Sequence, residues 1–139
     1  MRNLRLLFAT LAVVFFLSAC TQTETSTISM AEAESIMPGT YKVYFYGEAL
    51  GAGMYEGYVF DVFDNGTMTA TLGTETFSGE WTILHINHSD FYTYELDINI
   101  GGNPEMDALS QTWWVEDMTD VTLFLTDEAG SPDIHLIKI

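Results

Sequence analysis

Hydrophobic and polar positions fall into three regimes along the chain. Residues 6–17 are almost wholly apolar, residues 21–27 are Thr, Ser, Gln and Glu without any apolar pattern, and from Thr40 the period becomes two. A period of two predicts strands with one buried face. In the first strand, Tyr41, Val43 and Phe45 share one face, and Lys42, Tyr44 and Tyr46 share the other. A second strand is expected over 58–63 and a third over 67–72, reversed at Asp64-Asn65-Gly66. Asn-Gly between alternating segments is a strong hairpin signal. Gly73-Thr74 and Ser78-Gly79 punctuate the next segment, after which Trp81, Ile83 and His85 alternate with Thr82, Leu84 and Ile86. Further strands are expected over 91–100, 111–116, 121–126 and 133–139.

Two short helical turns interrupt this pattern. Ser29-Met30-Ala31-Glu32 has the spacing of a capping box and predicts a turn near 30–36, which must stop by Pro38-Gly39. Asn103-Pro104-Glu105 reads as an N-cap with proline at the first helical position, predicting a turn over 104–110. About eight short strands, with no connection long enough for a crossover helix, predict an all-β antiparallel barrel or barrel-like sandwich. The connection over 47–57 carries four glycines (Gly47, Gly51, Gly53, Gly57) and exceeds a tight hairpin, so it reads as a lid over one end.

The apolar run follows the positive segment Met1–Arg5, and Ser18-Ala19 supplies small residues before Cys20, the layout of a secretory signal. The twelve residues of this run span roughly 18 Å as a helix, too short to cross a bilayer's hydrocarbon core. Leu17-Ser18-Ala19-Cys20 resembles the lipobox of bacterial lipoproteins. That resemblance implies cleavage before Cys20, a diacylglycerol on its sulfur and an acyl chain, such as palmitate, on its amine. The other reading is an ordinary signal with a free cysteine nearby. Expected boundaries are therefore a signal at 1–19, a lipid-anchored tether with the short helix at 20–38, and a β domain at 39–139. Thr21 differs from the aspartate that retains some lipoproteins at the inner membrane, which favours an outer-membrane address in the cell envelope. No second cysteine exists, so no intramolecular disulfide forms.

Charge narrows the partners. The signal carries Arg2 and Arg5, so its removal takes the formal net charge from −16 to −18 and leaves only Lys42 and Lys138 against 20 carboxylates. Such a surface repels phosphate backbones, which excludes nucleic acid as a partner. Aromatic residues make up 14% of the chain, the mark of a folded core and not of a disordered acidic tail.

Chemical candidates are few. His85 and His88 lie three apart, hence on opposite faces of a strand, and no metal site is expected from them. The acidic turns Glu116/Asp117/Asp120 and Asp127/Glu128/Asp133 read as solvated hairpin ends, with calcium the open alternative. No serine sits in a nucleophile elbow and no carboxylate pair is singled out, so no catalytic residue and no cofactor are expected. A small hydrolase is the third choice.

Gly39-Thr40-Tyr41, the run over 60–67 (Phe-Asp-Val-Phe-Asp-Asn-Gly-Thr), Phe77-Ser78-Gly79-Glu80-Trp81-Thr82-Ile83 and the segment from Trp113 to Asp127 together resemble the lipocalin-like lipoproteins of flavobacterial envelopes. The likeness covers residues 39–139 and implies a lipocalin-like antiparallel barrel on a lipid anchor. Tyr41 stands where true lipocalins have the tryptophan of Gly-x-Trp, and the family carries no catalytic residues over. Tyr41, Phe45, Tyr58, Phe60, Trp81, Tyr94 and Trp113 are the candidate lining of a cavity for a small apolar or uncharged ligand. Small barrels equally fill their interiors with such side chains. Trp113-Trp114-Val115, apolar on both faces, suggests instead a surface for an envelope protein partner. The first expectation is a non-catalytic ligand-binding lipoprotein, and the alternative is an interaction or structural subunit with a packed core.

Overall fold

The computed structural model describes residues 28–47, 52–87, 92–127 and 133–139. Eight strands form a closed antiparallel barrel in chain order: β1 (Gly39–Tyr46), β2 (Val59–Val62), β3 (Thr67–Leu72), β4 (Glu75–Asn87), β5 (Tyr92–Ile100), β6 (Thr112–Met118), β7 (Thr122–Thr126) and β8 (Asp133–Lys138). β8 closes on β1 through Tyr41↔Lys138 and Val43↔Leu136, so no edge is left unpaired.

Alternation is what fills the interior. Tyr41, Val43, Phe60, Val62, Met68, Ala70, Trp81, Ile83, Leu96, Ile98, Leu123, Leu125, Ile134 and Leu136 are all buried and belong to one core. Two features depart from simple alternation. A register shift between Val43 and Phe45 pairs Phe45 with His135 and Tyr46 with Ile134. A one-residue shift moves side chains to the opposite face. Phe45 therefore joins the outer wall with His135, and Tyr46 turns inward in its place. The second departure is β4, which runs unbroken through Ser78-Gly79 for 13 residues. Gly79 is required there by close packing and not by a turn: a Cβ would lie 2.4 Å from the Asn99 carbonyl oxygen.

The hairpin between β2 and β3 is closed by the Asn65 side chain, whose Oδ1 accepts from Thr67 N (3.1 Å) and Thr67 Oγ1 (2.7 Å). Only Gly66 there has positive φ (80°), so the loop is the three-residue type ending in a left-handed glycine.

Both ends of the barrel are stoppered. The first end holds the start of β1, the β2–β3 and β6–β7 turns and helix α1 (Met30–Ile36). Ser29 caps α1, accepting from Glu32 N at 3.3 Å, and Ala33 and Met37 are buried against the core. The opposite end holds the 3-10 turn Gly53–Tyr55 and helix α2 (Pro104–Leu109). Asn103 caps α2 through Met106 N (2.8 Å) and also donates to the Tyr58 hydroxyl (2.8 Å), which ties the helix to the loop beside it. Trp113 Nε1 donates to Leu109 O (3.0 Å) and secures the other end of α2.

Candidate functional site

The aromatic candidates do not gather around one space. Tyr41, Phe60 and Trp81 line a void in the middle of the barrel together with aliphatic side chains such as Met68, Leu96 and Leu125. That void measures about 30 Å³ and no polar surface faces it. Trp113 is wholly buried beneath α2 and does not reach it. Tyr94 is buried with its hydroxyl donating to the Ile28 carbonyl, and its ring stacks on His85 at 5.1 Å. Tyr58 stacks on Phe60 at 6.0 Å near α2. Phe45 is on the outer wall. Three of the seven candidates therefore share the interior void, while the other four fasten helices, a loop or the outer surface.

The expected lid is, in its described part, a plug. Tyr55 of the 3-10 turn is 1% exposed, edge-on to Tyr46 at 5.0 Å and to Phe60 at 6.3 Å. Residues 48–51 of that connection lie outside the described residues. The Tyr55 hydroxyl is buried without a hydrogen-bond partner. Burial raises its pKa well above the ordinary phenol value, and neighbouring Tyr46, Glu105 and Tyr58 push the same way. An unpartnered buried hydroxyl costs about 1–3 kcal/mol. The plug is thus one of two places among the described residues, with Thr126 Oγ1 in β7, where a buried hydroxyl goes unpaired. No sequence signal marks Tyr55, because the glycines around it suggest an open loop.

At the other end Tyr41 donates to Met37 O at 2.8 Å, and burial pushes its phenol up to about 12. Lys138 Nζ donates to Ile36 O (2.7 Å) and Pro38 O (2.9 Å). Trp81 Nε1 donates to Phe63 O (2.9 Å) and holds the β2–β3 turn against the barrel.

The outer wall has its own aromatic feature. His135 is flanked by Phe45 at 4.9 Å and Phe124 at 4.3 Å. Beside it a shallow groove of about 340 Å³ is lined by Glu116, Phe124, Thr126, Asp133 and His135. Trp114 and Val115 are half-buried, so the doubly apolar segment is partly covered. Among the described residues no three His, Cys, Asp or Glu side chains converge as metal ligands. His88, Glu128 and Cys20 lie outside the described residues.

A closed eight-stranded antiparallel barrel with a short helix under one end defines a lipocalin-like architecture. The structure is similar to a lipocalin-like protein from Bacteroides uniformis (TM-score 0.52, 17% identity), covering 75% of this chain and 99% of that one. It is equally similar to a DUF4847-family protein from Bacteroides vulgatus (TM-score 0.52, 16% identity), covering 75% and 94%. At these identities the likeness establishes the fold. No protein-family model and no curated protein matches the chain.

Proposed function

We propose that this chain is a lipid-anchored, non-catalytic protein of the bacterial envelope, attached through Cys20 to the outer membrane, and that it acts through its outer surface. The size of the interior carries this reading. Sites for small molecules run to about 300–1,000 Å³, whereas the barrel keeps about 30 Å³ between its own side chains. That is room for about one water, in a lining with nothing to bond it. The acidic surface suits a body projecting into water from acyl chains, and two such chains hold firmly where one is marginal. On this reading the chain is an interaction or structural subunit of an envelope assembly. Crosslinking in the native envelope is expected to trap one recurrent protein partner; a strictly solitary protein overturns it. Incorporation of labelled fatty acid tests the anchor separately.

A second reading has its own observation. The Tyr55 hydroxyl is buried without a partner, so the plug carries a desolvation cost that no bond offsets. Displacing it vacates space beside Phe60, next to the apolar void, and admits a small apolar or uncharged ligand. Native mass spectrometry with displacement of an environment-sensitive dye distinguishes the two. Stoichiometric dye uptake that a ligand reverses favours the second reading, and no uptake favours the first.

A further inference from the structure

We propose that the α1 end of the barrel is a docking face for a zwitterionic lipid surface, the bilayer to which the anchor tethers it. This rests on the anchored reading above.

Among the described residues six large apolar side chains are exposed, and three of them stand at this one end: Phe63 (45%), Val121 (53%) and Ile139 (67%). Tyr44 and Leu84 lie on the walls, and Met54 belongs to the opposite plug. The three are neighbours along the rim. Lys138 N donates to Val121 O (2.9 Å) and Ile139 N to Thr40 O (2.9 Å), placing Val121 and Ile139 side by side. Gly39 pairs with Val62, which puts Phe63 just beyond on the same rim. Adjacent strands are about 4.8 Å apart, so this apolar arc across β7, β8, β1 and β2 spans roughly 15 Å.

Chain length identifies what the arc meets. The path from α1 toward Cys20 leaves from this end, and Ile28 is already fixed to the barrel through its carbonyl, which accepts from the Tyr94 hydroxyl. Seven residues lie between Cys20 and Ile28, so eight Cα-to-Cα steps join them. Eight Cα steps reach at most about 29 Å whatever their conformation. The rim is therefore held at high effective concentration beside the bilayer, and a contact too weak to bind alone becomes effectively intramolecular. Small apolar patches at a headgroup boundary insert by about 5–10 Å.

Charge sets the lipid class. Asp64 and Asp120 directly follow Phe63 and precede Val121, and Glu32 and Glu34 lie exposed on α1. Lys42 is exposed on β1, while Lys138 is committed to two carbonyls. Carboxylates thus outnumber free cations at the rim, which fits a neutral headgroup layer and disfavours an anionic one.

The test uses the lipidated protein in phosphatidylcholine vesicles carrying acyl-chain quenchers. Acylation leaves Cys20 without a thiol, so Phe63→Cys, Val121→Cys, Ile139→Cys and Met54→Cys each take one fluorescent label. Probes at 63, 121 and 139 are expected to be quenched about two-fold or more, as insertion to that depth requires, and the probe at 54 not at all. Replacing half the lipid with phosphatidylglycerol should weaken the quenching. Cofloatation with vesicles and no quenching at the three rim positions overturns the docking face but leaves the anchor standing. Equal quenching at 54 overturns it as well, and stronger quenching on phosphatidylglycerol overturns the assigned lipid class. Failure to cofloat removes the anchor, and the docking face with it.

Discussion

Lys138 extends across the ring of Tyr41, its ammonium 5.3 Å from the ring centre, and the two side chains hold the same helix end. Lys138 bonds the carbonyls of Ile36 and Pro38, and Tyr41 bonds that of Met37. The Ile36 and Met37 carbonyls are among those that the end of a short helix leaves unpaired, and the Pro38 carbonyl follows directly, so one cation and one phenol do the work of a C-cap. The arrangement fixes α1 beneath the barrel by pairing β8 with the segment after the helix.

Replacing the cation should loosen that stopper. Lys138→Met keeps the apolar stem and removes the charged donor, leaving two carbonyls without it. We expect a loss of about 2–3 kcal/mol in urea unfolding of the domain, with earlier proteolysis near α1. Unchanged stability would mean that packing of Ala33 and Met37 alone seats the helix.

Alkaline pH should destabilise the fold through the burial of Tyr41. Tyr41 is held at about 12 in the folded state, against an ordinary value of 10.0. The unfolded phenol ionises first as pH rises, so the unfolded chain binds fewer protons and stability falls. Its contribution is complete below pH 10 and declines as pH climbs toward 12. The raised Tyr55 value acts in the same direction. Tyr41→Phe should lower stability at pH 7 by about 1 kcal/mol, from the lost bond to Met37, and flatten the alkaline decline. Unfolding midpoints between pH 7 and 11.5 read both effects.

How much of this was legible in the sequence depends on the range of the forces involved. Local chemistry was readable: Ser29, Asn103-Pro104 and Asn65-Gly66 each satisfy backbone groups within a few residues, and each appears where its motif predicts. The all-β barrel follows from alternation, which the inward faces of β2, β3 and β7 obey. Phe45 was misplaced because the register shift beside it answers to β8, some 90 residues away, and exchanges its role with Tyr46. Ser78-Gly79 looks like a break, although Gly79 is small because β5 passes against it. Tyr55 was missed for the same reason: its burial is set by Tyr46, Phe60 and α2, none of which a local pattern reveals.

Gly79 gives a direct check on that account. If the position is glycine because of packing, Gly79→Ala must push its methyl into the Asn99 carbonyl and the Ile100 Cβ, which stand 2.4 and 2.6 Å from an ideal Cβ. Both belong to a strand with nine paired positions along β4, so neither can swing away cheaply. Overpacking of this kind typically costs about 1–3 kcal/mol. Calorimetry or urea unfolding should show that loss. A stabilised variant would mean that β5 yields to the methyl and that close packing does not require the glycine.

The plug and its neighbouring cap separate two kinds of polar contact at one end of the barrel. Tyr55→Phe removes a hydroxyl that has no partner, so no bond is lost and a desolvation cost disappears. Stability should stay level or rise by up to about 1 kcal/mol, with the apolar packing against Tyr46 and Phe60 intact. Asn103→Ala removes a side chain that both caps α2 and donates to Tyr58, and should cost about 1–2 kcal/mol. Side by side in urea unfolding, Asn103→Ala should lower the midpoint and Tyr55→Phe should not. If Tyr55→Phe proves the more damaging, its hydroxyl is partnered in solution. The segment holding it would then be better secured than the structure implies, and the case for a plug that yields to a ligand would weaken accordingly.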